Sequence, residues 1–113
     1  MTKLTEKRCI PCEGKTPPLS AAEAATLRKE LRAEWEFADE GRKLVATFQF
    51  KNYYHTTAFV NAAIYIAHKE DHHPDISFGY KTVSMTWWTH TANGLTENDF
   101  ICAAKVDALL NGK

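Results

Sequence analysis

No stretch of this chain is apolar for more than a few residues, so no segment is long enough to form a bilayer-spanning helix. It opens Met-Thr-Lys-Leu-Thr-Glu-Lys-Arg, without the apolar core of a secretory leader, and the expected location is the cytoplasm. Charge of one sign is also missing. Fourteen basic side chains balance fourteen acidic ones, which removes any long-range pull toward nucleic acid or an anionic membrane. Cysteine is scarce, and the three present are an odd number, so no disulfide framework is expected. There is no glycine-rich phosphate loop and no serine or cysteine nucleophile motif, which leaves phosphoryl transfer and covalent catalysis unsupported.

The 113 residues that remain to be explained are 44% hydrophobic and 25% charged, the balance of one ordinary globular domain. Residues 1–18, punctuated by Pro11, Gly14, Pro17 and Pro18, read as an irregular N-terminal arm. Residues 19–113 read as a single domain. Ser20 and Glu23 form a capping box that opens a helix expected to run to about residue 34, with Ala24, Leu27 and Leu31 inward. Trp35 and Phe37 alternate, Asp39-Glu40-Gly41 is turn-prone, and 43–51 alternates again with Leu44, Ala46, Phe48 and Phe50 inward. That pattern is a β-hairpin.

Over 55–69 the period returns to helical, with Phe59, Ala62, Ala63, Ile66 and Ala67 on the buried stripe, and His72-His73-Pro74 ends the helix. Ile76, Phe78 and Tyr80 share one face of a third strand. Val83, Met85 and Trp87 share a face of a fourth, with Trp88 and His90 on its other side. Asn93-Gly94 is a turn, and Thr96 opens a last helix in which Asp99 bonds back to the cap. Its inward face is Cys102, Ala103, Val106, Leu109 and Leu110, and Gly112 follows its end. The order α-β-β-α-β-β-α predicts a two-layer α+β fold, a four-stranded antiparallel sheet with three helices on one face. The phenylalanines at 48, 50, 59 and 78 are assigned to the core. The uncovered sheet face and edges favour self-association.

Four of the five histidines (His68, His72, His73 and His90) fall within 23 residues, at the ends of the second helix and the fourth strand. Histidine changes charge near neutral pH, so such a cluster suits proton transfer. Metal binding competes with that reading. His68 and His72 stack at i and i+4, yet the H-E-x-x-H order is absent and His72 sits at the helix end, so no metal site is assigned. Cys9 and Cys12 have the spacing of a zinc half-site or a redox pair but lack a second pair and sit in the Pro-rich leader. They read as ordinary thiols.

His68-x3-His72-His73-Pro74-x5-Tyr80-x9-His90-x8-Asp99, across 32 residues, resembles the signature of the pterin-4a-carbinolamine dehydratases. Pro17-Pro18-Leu19-Ser20, Trp35, Thr89-His90 and Gly94-Leu95-Thr96-Glu97-Asn98-Asp99 extend the likeness over nearly all the chain beyond the arm. The resemblance implies an enzyme that dehydrates 4a-hydroxytetrahydropterin to quinonoid dihydropterin, recycling the cofactor of aromatic amino acid hydroxylases. It implies His72, His73 and His90 as the catalytic residues, with no cofactor and no metal. Pro74, Thr89, Thr91, Trp35 and His68 are then expected around the substrate, with His68 standing where the family often has an acid. Asp99 matches the last signature position, but helix capping is the better explanation of that residue. The family habit is a homodimer or homotetramer. The alternative is a non-enzymatic regulatory or dimerisation module on the same scaffold.

Overall fold

The computed structural model describes residues 3–10 and 17–110. The elements follow the expected order: α1 (Ala21–Arg28), β1 (Glu36–Ala38), β2 (Lys43–Gln49), α2 (Tyr53–Glu70), β3 (Asp75–Phe78), β4 (Thr82–Trp87) and α3 (Glu97–Ala108). All strand pairings are antiparallel, in the spatial order β1-β2-β4-β3. No helix among the described residues is long and apolar enough to cross a membrane.

Register sorts the sheet into two faces. Leu44 pairs with Trp87, Ala46 with Met85 and Phe48 with Val83, and all six are at most 2% exposed. α2 and α3 pack against β4 on this face, and α1 packs against α3. The alternate positions, Thr47, Gln49, Ser84 and Thr86, look outward. Phe48 meets Trp35 and Phe59 edge-on, with ring centroids 5.7 and 5.2 Å apart, a preferred aromatic geometry.

Three expectations need correction. α1 ends at Arg28, not near residue 34. The backbone N–H of Arg32 donates to Asp107 Oδ2 at 2.9 Å instead of an i−4 carbonyl, and the preceding amides tighten into i−3 bonds. Arg28 then caps the turn, its Nε donating to the Trp35 carbonyl at 2.6 Å. Phe78 shares the inner-face register with Val83 but lies on the edge strand and is 45% exposed, so it is not core. Leu109 lies just past the end of α3 and is likewise exposed. Cys12, Pro11, Gly14 and Gly112 lie outside the described residues.

Two turns deliver residues to one end of the sheet. α2 stops at Asp71, whose left-handed backbone (φ 54°) lets the His72 N–H return to the Ala67 carbonyl at 3.1 Å. β4 leads through Trp88 and Thr89 into a single 3₁₀ turn, His90–Ala92, closed by left-handed Asn93. A Cβ at Gly94 would sit 3.0 Å from the Pro18 Cβ, so this turn and the chain entering α1 approach more closely than a side chain comfortably allows.

Candidate active site

The end of α2, the turn after β4 and the start of α3 surround a cleft of about 660 Å³. Its lining includes His72, His73, Trp88, Thr89, His90 and Thr91. Three imidazoles separated by up to 18 residues therefore share one cavity, of the size that small-molecule sites occupy.

His72 is the most constrained of them. Its Nε2 lies 2.6 Å from Asp99 Oδ1, and its ring stacks on Trp87 at 5.6 Å with 14° between planes. An ionised carboxylate only accepts, so Nε2 carries the hydrogen and Nδ1 is left without a hydrogen-bond partner among the described residues. Asp99 is fully buried and itself held. The Thr96 N–H donates to Oδ2 at 2.9 Å, and the Thr89 hydroxyl donates to the same oxygen at 2.8 Å. Thr89 and Thr96 hydroxyls are 2.8 Å apart, so Thr96 donates to Thr89 and every hydroxyl proton is used. The capping role expected for Asp99 is present, and the same carboxylate also orients His72.

His90 and His73 are exposed at the rim. The His90 ring lies 3.8 Å from that of Trp88, centroid to centroid, and Lys43 Nζ sits 4.7 Å from the Trp88 ring. Trp88 is thus a fixed aromatic wall. Alternation already placed it on the side of His90, and that was the available signal for it.

The other expected substrate contacts divide. Thr89 and Thr91 line the cleft. Pro74 and His68 do not, and His68 is an exposed residue on the last turn of α2. Trp35 is not a cleft wall. It is 1% exposed, and its Nε1 donates to Asp107 Oδ1 at 2.8 Å within the core, which accounts for the residue without a ligand. No group of three or more His, Cys, Asp or Glu among the described residues is arranged to hold a metal ion.

An unforeseen wall comes from the N-terminal segment. Leu4–Glu6 form a 3₁₀ turn with Leu4 buried, and Arg8, Cys9 and Ile10 line the cleft opposite no periodic pattern that could have announced them. Glu70 is its anchor. The Cys9 N–H and Lys105 Nζ each donate to it at 2.9 Å, and Arg8 Nε lies 3.1 Å away. Burial pushes the Glu70 carboxyl up, but these donors outweigh it and hold the group at about 2. Asn98 pairs with the Ile10 backbone on both sides, accepting from its N–H at 3.1 Å and donating to its carbonyl at 2.7 Å.

Fold and cleft together define a small α+β domain whose cleft is lined by His72, His73 and His90. The chain belongs to the pterin 4 alpha carbinolamine dehydratase family, whose model matches residues 17–109. It is 54% identical to a protein of Nitrosomonas europaea over 94% of this chain and 92% of that one, and 46% identical to one of Legionella pneumophila over 95% of each. Both are provisionally named pterin-4-alpha-carbinolamine dehydratase. Among solved structures it resembles a transcriptional coactivator/pterin dehydratase from Brucella melitensis, with TM-score 0.77 and 32% identity over 81% of this chain and 97% of that one. It also resembles a pterin dehydratase-like protein identified as a RuBisCO assembly factor of the alpha-carboxysome, with TM-score 0.62 and 29% identity over 73% and 95%.

Proposed function

We propose that this chain dehydrates 4a-hydroxytetrahydropterins to quinonoid dihydropterin and water. The observation that carries the reading is the convergence of His72, His73 and His90 on one cleft. In the reaction the N5 lone pair expels the C4a hydroxyl, which must leave as water, and N5 gives up its proton. An imidazolium protonates the departing oxygen; a neutral imidazole or water takes the N5 proton. Each positioned group contributes about 10²–10⁴-fold. The steps are heterolytic proton transfers and call for no metal or redox cofactor.

How each ring is held supports a division of roles. His72, with Nε2 committed to Asp99, works through Nδ1. His90 is the second acid, positioned against Trp88, and the Trp88 ring offers the flat bicyclic substrate a stacking surface. His73 binds and orients from the rim. The pterin is the substrate partner, and the product feeds the recycling of the cofactor used by an aromatic amino acid hydroxylase. A second copy of the chain is expected at β3, which among the described residues pairs only with β4 and leaves an edge open.

The test is direct: purified protein added to freshly generated 4a-carbinolamine should accelerate its decay. The assembly-factor relative favours a second reading, a non-enzymatic module on this fold. A folded protein that leaves the uncatalysed rate unchanged selects that reading.

A further inference from the structure

Cys9 Sγ and Cys102 Sγ lie 3.5 Å apart, although 93 positions separate them in the chain. Cys9 is half-buried in the N-terminal segment and lines the cleft; Cys102 is fully buried on α3, one turn beyond Asp99. The N-terminal segment is already fastened to α3 by Asn98 on Ile10 and to the end of α2 by the Cys9 N–H on Glu70. A disulfide needs about 2.05 Å between sulfurs, so closing the gap asks the segment to move by about 1.5 Å.

We propose that Cys9 and Cys102 are an oxidation site, which a peroxide converts into an intrachain disulfide fastening the N-terminal segment to α3 beside the cleft. The chemistry runs in two steps. Cys9 sulfur attacks one peroxide oxygen, the O–O bond breaks, and Cys9 becomes a sulfenic acid with release of water. Cys102 sulfur then displaces the sulfenic oxygen, which leaves as a second water with the Cys102 proton. Two thiols lose two electrons and the peroxide gains them. Cys9 is the attacking thiol because it is the one that reaches the cleft. Contact with Cys9, followed by burial, pushes the Cys102 thiol far above its ordinary value, so Cys102 is the poorer first nucleophile, and it resolves only because its sulfur already lies 3.5 Å from that of Cys9. The bond would shift one wall of the substrate cleft while leaving the histidines' own elements in place.

The experiment uses the full chain and a Cys12→Ser form, each treated with a small excess of hydrogen peroxide. Both should lose the mass of two hydrogens, with the peptide of Cys9 joined to that of Cys102, and dithiothreitol should restore the original mass. Closing so long a loop should raise the melting temperature by roughly 10 °C or more. In Cys102→Ala the reaction should stop at a sulfenic acid on Cys9 that a dimedone probe traps. A Cys9–Cys12 bond in the full chain, disulfide-linked dimers, or equal cross-linking in urea would each overturn the proposal.

Discussion

Replacing Asp99 with Asn changes one oxygen to an amide nitrogen and removes a charge while keeping shape. Oδ2 accepts from both the Thr96 N–H and the Thr89 hydroxyl, so the amide oxygen must take that position. The NH2 group then faces His72 Nε2 at the place where Oδ1 lay 2.6 Å away. Two donors cannot meet there. The neutral ring resolves the conflict by moving its hydrogen to Nδ1, leaving Nε2 to accept from the amide. The nitrogen proposed to exchange protons with substrate is then occupied, and forming an imidazolium restores the clash. Loss of a positioned proton-transfer group predicts a fall in kcat of about 10²–10⁴-fold. Losing a hydrogen bond to a charged group predicts a stability cost of about 1.5–3 kcal/mol. Three readouts check this: carbinolamine decay for kcat, urea unfolding for stability, and ¹⁵N spectra of the imidazoles for the tautomer. A capping role alone would lower stability but spare the tautomer and the rate. Asp99→Asn with wild-type turnover and an unaltered His72 spectrum would refute the orientation argument.

Glu70 makes a pH prediction. A buried carboxyl held at about 2 instead of 4.5 corresponds to about 3 kcal/mol of stability at neutral pH. Its folded value is depressed, so that stability is complete above 4.5 and disappears as pH falls toward 2. Glu70→Gln should be destabilised by a similar amount at pH 7, with the difference from wild type vanishing in acid unfolding curves near pH 2. Trp35→Phe should lower the melting temperature, because it strips Asp107 of a 2.8 Å donor in the core, and leave KM unchanged. A raised KM would put Trp35 back in the substrate site. Trp88→Ala should raise KM more than it lowers kcat, since the ring supplies binding surface and no proton.

Periodicity found the three α-helices and four strands, most plainly where an apolar stripe turns inward, as Leu44, Ala46 and Phe48 do on β2. It misjudged ends where a distant group intervened. Asp107 on α3 takes the Arg32 amide and shortens α1, a bond between residues 75 apart that no local pattern encodes. It also could not tell an edge strand from a central one, which is why Phe78 counted as core. In the site, clustering pointed to His68, His72, His73 and His90, the family resemblance singled out the last three, and the two turns that deliver them were marked by Pro74 and Asn93-Gly94. Trp35 misled because a large aromatic in a matching position says nothing about whether its partner is a ligand or a buried carboxylate. Asp99 was legible as a cap, but its second bond, to His72, depends on how α3 docks against the end of α2. The segment carrying Arg8, Cys9 and Ile10 had no period, its one motif, the Cys9–Cys12 spacing, read as ordinary thiols, and its place beside the cleft follows from bonds to Glu70 and Asn98 that no local pattern encodes.

Imidazole resonances followed while a non-reactive dihydropterin is added offer the most direct measurement, since they report which rings feel the bicyclic ligand. His72, His73 and His90 should shift together and saturate at one concentration, while His55, which borders other clefts, and the exposed His68 stay still. Shifts confined to His55 or His68, or none at concentrations that saturate turnover, would contradict the account.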